Sequence, residues 1–182
     1  MTRLIITVIL FTLTSAPRAE PYFELGVDFG GDTLISTSGD VFTYELNAGG
    51  GLQFALGVKN EVGENGELLS FSLGYSYENL HASNGTAKIS TTSIDAIYSI
   101  KRNDHRFGIG ASYHIGPTYK EDFSGFSPVR INFDDALGLI LQYSIGADSG
   151  YQLVVRYTLM DYEANGVSLD ANSYGIFLSH GF

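Results

Sequence analysis

Eight times along this chain, large apolar residues recur at every second position while the positions between them stay small or polar. A period of two puts the two sets on opposite faces of a β-strand. The clearest case is Phe107, Ile109, Ala111, Tyr113 and Ile115, interleaved with Gly108, Gly110, Ser112, His114 and Gly116. The same pattern predicts strands over Tyr22–Gly30, Tyr44–Val58, Leu69–Tyr77, Ile89–Ile100, Phe133–Tyr143, Tyr151–Leu159 and Asn172–Phe182. The interleaved set is rich in Gly, Ser, Asp, Glu and Gln and would make a poor hydrophobic core, which argues against a soluble barrel or sandwich. Turned the other way, with apolar faces toward lipid, the pattern predicts an all-β fold. It is an eight-stranded antiparallel up-and-down transmembrane β-barrel with a polar, side-chain-filled lumen.

The connections support that direction. Gly31–Thr43, Glu78–Lys88, Pro117–Ile131 and Asp161–Ala171 are long, whereas Lys59–Gly66, Lys101–His105 and Ser144–Gly150 are short and rich in turn formers. Long outer loops alternating with tight periplasmic turns are the habit of outer-membrane barrels. In this register Phe23, Tyr98, Phe107, Tyr143, Tyr151 and Phe182 fall at the periplasmic strand ends. Phe29, Tyr44, Tyr77, Tyr113, Phe133 and Tyr174 fall toward the outer ends. Two aromatic girdles around an aliphatic band fit rings that prefer headgroup depth.

The chain ends on Phe182, preceded at every second place by His180, Leu178, Ile176 and Tyr174. This strand resembles the closing strand of the small bacterial outer-membrane β-barrels, the group that includes the OmpA transmembrane domain, OmpX and the opacity proteins. The resemblance implies that these five residues are an assembly signal read by the barrel-assembly machinery. His180 departs from it, since Tyr is more usual there. It further implies an outer-membrane monomer surrounded by lipid and lipopolysaccharide, with an envelope-structural or surface-interaction role. A narrow channel for small or hydrophobic solutes is the alternative, and a lipid A-modifying enzyme a more distant one.

Export is legible at the other end. Arg3, an apolar run from Leu4 to Leu13 and then small and polar residues have the layout of a secretory signal peptide. Cleavage after Ala19 would leave residues 20–182 as one barrel domain. No run of about 18 apolar residues follows, so no transmembrane helix is expected. The chain has 10 Lys+Arg against 20 Asp+Glu, a net charge of −10. That balance excludes a nucleic-acid partner, whose phosphates need cations. Cysteine is absent, so there is neither a disulfide framework nor a thiolate metal site.

An eight-stranded barrel is only wide enough to be filled by side chains. The inward-facing set comprises Arg156, Asp28, Asp95, Glu24, Glu45, His114 and Gln142. Arg156 is expected to pair with Asp28, Asp95 or both, either as a fixed plug or as a gate that switches partners. A hydrolase would need nucleophile, base and acid together. The nearest approach is His81 with Ser83 and Glu78, which reads as solvated surface, so no catalytic residue, cofactor or resident metal is expected. The long connections carry Asp32, Asp40, Glu78, Glu121, Asp122, Asp161, Glu163 and Asp170 against Lys88, Lys120 and Arg130. Divalent cations are candidate partners of such a rim, though no calcium-loop spacing occurs. Phe123 and Phe126 add candidate recognition anchors in the third connection.

Overall fold

The computed structural model describes residues 19–38, 43–63, 66–146 and 150–182. The expected leader, apart from Ala19, lies outside the described residues, as do Asp40 and the turn residues Asn65, Asp148 and Ser149. Among the described residues thirteen strands run in the order β1 (Glu20–Phe29), β2 (Thr33–Ser38), β3 (Thr43–Asn47), β4 (Gly51–Glu61), β5 (Leu68–Ala82), β6 (Gly85–Arg102) and β7 (His105–Phe123). They continue with β8 (Val129–Asn132), β9 (Ala136–Ile145), β10 (Tyr151–Leu159), β11 (Asp161–Ala164), β12 (Val167–Asp170) and β13 (Ser173–Gly181). Eight of them, β1, β4, β5, β6, β7, β9, β10 and β13, form the wall, each antiparallel to the next. Pairing of β1 with β13, from Tyr22↔Gly181 to Phe29↔Tyr174, closes the ring. Closure leaves the eight-stranded wall itself without a free edge.

The faces follow the alternation. Leu25 is 54% exposed on the outside of β1 while its neighbour Glu24 is 4% exposed inside. Leu52, Leu73, Ile109, Leu139, Leu153 and Ile176 continue the exposed apolar belt around the wall. Ser72, Ser93, Asp95, Ser112, Ser144 and Ser179 are buried within it. A continuous apolar belt on the outer surface suits lipid and would be a liability in water.

The long connections are not loops but paired strands. β5 and β6 run on together to a tight turn at Ser83–Asn84, closing with Ala82↔Gly85. β2 pairs with β3, β8 pairs with the outer end of β7, and β11 pairs with β12. The last hairpin turns on Asn165 (φ 52) and Gly166 (φ 78). Asn-Gly supplies the two positive φ angles that a type I′ turn demands.

Above the apolar belt the preference of the inner face reverses. Leu46, Ala48, Leu80, Ala87, Ile89, Tyr119, Phe133, Met160 and Tyr162 form a buried apolar cluster enclosed by these extensions. The strand expected over Tyr44–Val58 therefore breaks at Ala48–Gly50 into β3 and β4. A Cβ at Gly49 would strike the carbonyls of Ala171 and Asn172, so the chain passes too close to that segment for any side chain. Leu46 and Ala48 pack inward rather than against lipid, and Glu45 is exposed on the outer hairpin, not in the lumen.

Pro117, expected to open a loop, sits inside β7. The register shifts there from Thr92↔Ile115 to Ser90↔Thr118, an extra residue that marks a β-bulge. Gly116 takes φ 49 at that point. A bulge tolerates a proline because its missing N–H is not needed for the ladder. It also flips parity: His114 and Ser112 face in below it, Tyr119 above it.

Candidate functional site

The lumen is organised around Arg156, 4% exposed on β10. Its Nη2 lies 2.6 Å from Glu24 Oε1 and its Nη1 3.8 Å from Asp95 Oδ2. Nε and Nη2 also donate to Gln142 Oε1 at 3.2 and 2.9 Å. Ser112 and Ser72 donate to the two Asp95 oxygens at 2.5 and 3.5 Å. Each buried charge thus has partners, the condition under which such a network is tolerable. Asp28 shares the register row of Arg156 through Gly175, but no ion pair joins the two. The close partner is Glu24, with Asp95 second.

Phe177 explains much of this arrangement. It is 1% exposed on the inner face of β13, and the Arg156 guanidinium carbon stands 4.7 Å over its ring centre. A Cβ at Gly26 or at Gly175 would overlap the same ring. Two glycines therefore make the room that one aromatic fills, and the cation sits on its face. Ile97, Ile140 and Val154, all nearly fully buried, fill more of the bore. Two small voids border Arg156. One of about 30 Å³ lies among Asp28, Asp95, Ser112 and His114. The other, about 20 Å³, lies among Tyr22, Glu24, Lys59, Ser99 and Gln152.

At its outer end the polar lumen meets the apolar cluster through one pair. His114 Nδ1 and the Tyr162 hydroxyl of β11 are 2.7 Å apart, with their rings tilted at 5.8 Å. Burial raises the Tyr162 phenol well above its usual range, so it stays neutral. Tyr162→Phe should therefore remove a hydrogen bond without removing packing. The expected loss is about 1 kcal/mol, read as a small drop in the urea midpoint of refolding into lipid vesicles.

The aromatic residues mostly stand near the ends of the exposed belt. Tyr98, Phe107, Tyr151 and Phe182 are exposed at one end; Phe29, Tyr113 and Tyr174 are exposed at the other. Phe23, Tyr77 and Tyr143 are half-buried. Phe133 is 5% exposed within the apolar cluster and does not belong to a girdle. Tyr44 is exposed, but on the outer hairpin strand β3. His180, the departure from Tyr in the last strand, behaves as a girdle residue. Its ring stacks on Tyr151 at 4.1 Å, meets Phe23 edge-on at 5.8 Å, and bonds to the Gly150 carbonyl at 2.9 Å. Leu178 and Ile176 face outward beside it, and the Phe182 amide donates to the Pro21 carbonyl at 3.0 Å.

The constellation of His81, Ser83 and Glu78 is not assembled. Glu78 accepts from the Asn47 amide at 3.0 Å, which ties β5 to the first outer hairpin, and burial raises its carboxyl above the usual range. His81 is exposed and bonds only with Asn79 at 3.0 Å. Among the described residues no group of three or more His, Asp or Glu is disposed to hold a metal ion. In the third extension Tyr119 is buried and Phe123 packs against the apolar cluster, while Phe126 projects, 74% exposed.

No protein-family model and no curated protein matches the chain. Solved structures do. Neisserial surface protein A is 11% identical, covering 90% of this chain and 97% of that one, with a TM-score of 0.55. Ail, the attachment invasion locus protein of Yersinia pestis, is 11% identical, covering 91% and 99%, with a TM-score of 0.56. Ail has also been solved in complex with the heparin analogue sucrose octasulfate (TM-score 0.55). The fold is that of the small outer-membrane barrels. At this identity the likeness carries architecture and not activity.

Proposed function

We propose that this chain is a non-enzymatic outer-membrane β-barrel whose role is envelope-structural or surface interaction, carried by its outer hairpins. The observation that supports this best is the double closure of the bore. Arg156, Glu24, Gln142 and Phe177 fill it at mid-height, and the apolar cluster around Leu46 and Tyr162 fills it above. A conduit needs a continuous wet path, and an enzyme needs a nucleophile, base and acid on one face. By contrast the outer extensions are ordered hairpins that raise acidic side chains and the Phe126 ring above the belt. Proteins of the same fold are named for the surface and for attachment and invasion.

The absence of cysteine allows a direct test. Val167, 62% exposed at the β11–β12 turn, and Gly63, exposed near the β4–β5 connection, should stand on opposite sides of the membrane. A membrane-impermeant maleimide added to intact cells is expected to label Val167→Cys and to spare Gly63→Cys. Liposomes carrying the wild-type protein should not swell in small sugars. Labelling of Gly63→Cys alone would reverse the orientation, and rapid swelling would favour the channel.

A further inference from the structure

The outer half of the wall holds its cations in a single row. Lys88 on β6 is directly opposite Lys120 on β7, and Lys120 is directly opposite Arg130 on β8. All three are exposed. Among the described residues no other Lys or Arg lies on this half: Lys59, Lys101, Arg102 and Arg106 are at the other end and Arg156 is inside. Neighbouring strands are about 4.8 Å apart, so three like charges are held within about 10 Å. Directly opposed like charges destabilise a sheet. Among the described residues no ion pair joins any of the three to a carboxylate.

Two acids, Glu121 and Asp122, border the same surface depression as the three cations, and neither forms an ion pair with them. Glu121 turns to the Tyr119 hydroxyl, which donates to it at 2.6 Å. Asp122 stands farther out, opposite Thr86. Arg130 is pre-oriented, its Nε donating to Asn132 Oδ1 at 3.0 Å, an oxygen that also receives the Thr118 hydroxyl at 3.4 Å. The row faces sideways, on the same wall that carries Ile94 and Ala96 on β6 and Tyr113 and Ile115 on β7 nearer the membrane. Lys88 is four residues beyond Thr92, the first polar outward residue past that belt. With about 3.3 Å per residue and a tilt near 40°, this is roughly 10 Å of height. Lysine stems can bend back toward an interface over such a distance.

We propose that Lys88, Lys120 and Arg130 form a binding site for the phosphate groups of the lipids that surround the barrel in the outer leaflet. This rests on the outer-membrane reading and adds a ligand class and a place to it. The sideways orientation favours membrane phosphates over a polyanion arriving from solution. It also gives a chain of net charge −10 a local grip in an anionic leaflet.

The test uses the full chain purified in detergent and titrated with bisphosphorylated lipid A in mixed micelles. The same lipid stripped of phosphate, and soluble heparin, form the other arms. At about five-fold per cation near an anionic surface, K88Q/K120Q/R130Q should bind bisphosphorylated lipid A about a hundredfold more weakly than wild type. The charge-keeping variant K88R/K120R/R130K should bind like wild type, which controls for folding. Dephosphorylated lipid should bind wild type and the Gln variant equally. The proposal is overturned if the Gln variant binds within twofold of wild type, or if phosphate removal makes no difference. It is equally overturned if heparin is held through these three residues while lipid A is not. Any of these failures, with Val167→Cys still labelled from outside, would leave the outer-membrane reading standing.

Discussion

Arg156→Ala should destabilise the barrel by about 3–5 kcal/mol, because it leaves Glu24 and Asp95 as buried carboxylates without their ion-pair partner. The readout is urea-dependent unfolding from lipid vesicles, followed by tryptophan-free probes such as far-ultraviolet circular dichroism. The pair itself need not stabilise the fold, and the two facts are compatible. Removing both members of the close pair together, as Glu24→Gln with Arg156→Gln, leaves hydrogen-bonding groups in their place, so the double variant should recover much of the loss even with Asp95 and Asp28 still facing in. If instead the double variant is as unstable as Arg156→Ala, the packing of the guanidinium on Phe177 outweighs its charge. Planar-bilayer conductance separates a plug from a gate. With Phe177, Ile140 and the cluster around Leu46 still in place, Arg156→Ala should show no more conductance than wild type. A new pore on loss of Arg156 would establish the gate.

The partner of Arg156 illustrates what the sequence can and cannot convey. Alternation places Arg156, Asp28 and Asp95 on the inner face, and counting from strand ends sets them at similar heights. It does not say which carboxylate the long guanidinium reaches. That depends on Phe177, which fills the space left by Gly26 and Gly175, while Glu24 meets Arg156 from lower on β1. Phe177, Ile140 and Val154 are exceptions to the alternation, large apolar residues on a face that is otherwise small or polar. The signal says that something large fills the bore, not what it rests on.

Above the membrane a different ambiguity operates. Period-two alternation persists there, but the inner face becomes the apolar one because water, not lipid, lies outside. Leu46 and Ala48 share parity with Leu52 and Leu56, so one strand with one lipid face was the natural reading. The break at Ala48–Gly50 changes what those residues face, and the bulge at Gly116 does the same on β7. Its parity with Leu137 assigns Phe133 to the lipid side. Between them, Asp135 bonds to the Tyr113 hydroxyl at 2.7 Å and the Gly116 amide at 2.8 Å, ending the regular strand. The hairpin of β11 and β12, by contrast, is signalled by Asn165-Gly166, a turn pair inside the connection expected over Asp161–Ala171.

Leu25→Lys should destabilise the protein in lipid by about 2–4 kcal/mol, the range for a cation on the lipid face near mid-bilayer. Leu25 lies in the middle of β1, 54% exposed, flanked in register by Phe54 and Leu178, which also face out. The cost comes mainly from the solvent, since more than half of Leu25 is exposed on the outer face. Thr86→Lys, on the same outer surface but beyond the belt, should change stability by about 0–1 kcal/mol, because there the lysine meets water or headgroups. The difference between the two variants measures the membrane itself, independently of strand propensity. In a water-soluble barrel the order would reverse: Leu25→Lys would relieve an exposed apolar belt and be neutral or favourable. The sign of that one difference therefore decides which way round the eight alternating faces are turned, and with it whether the filled lumen and the outer hairpins stand inside and above a bilayer.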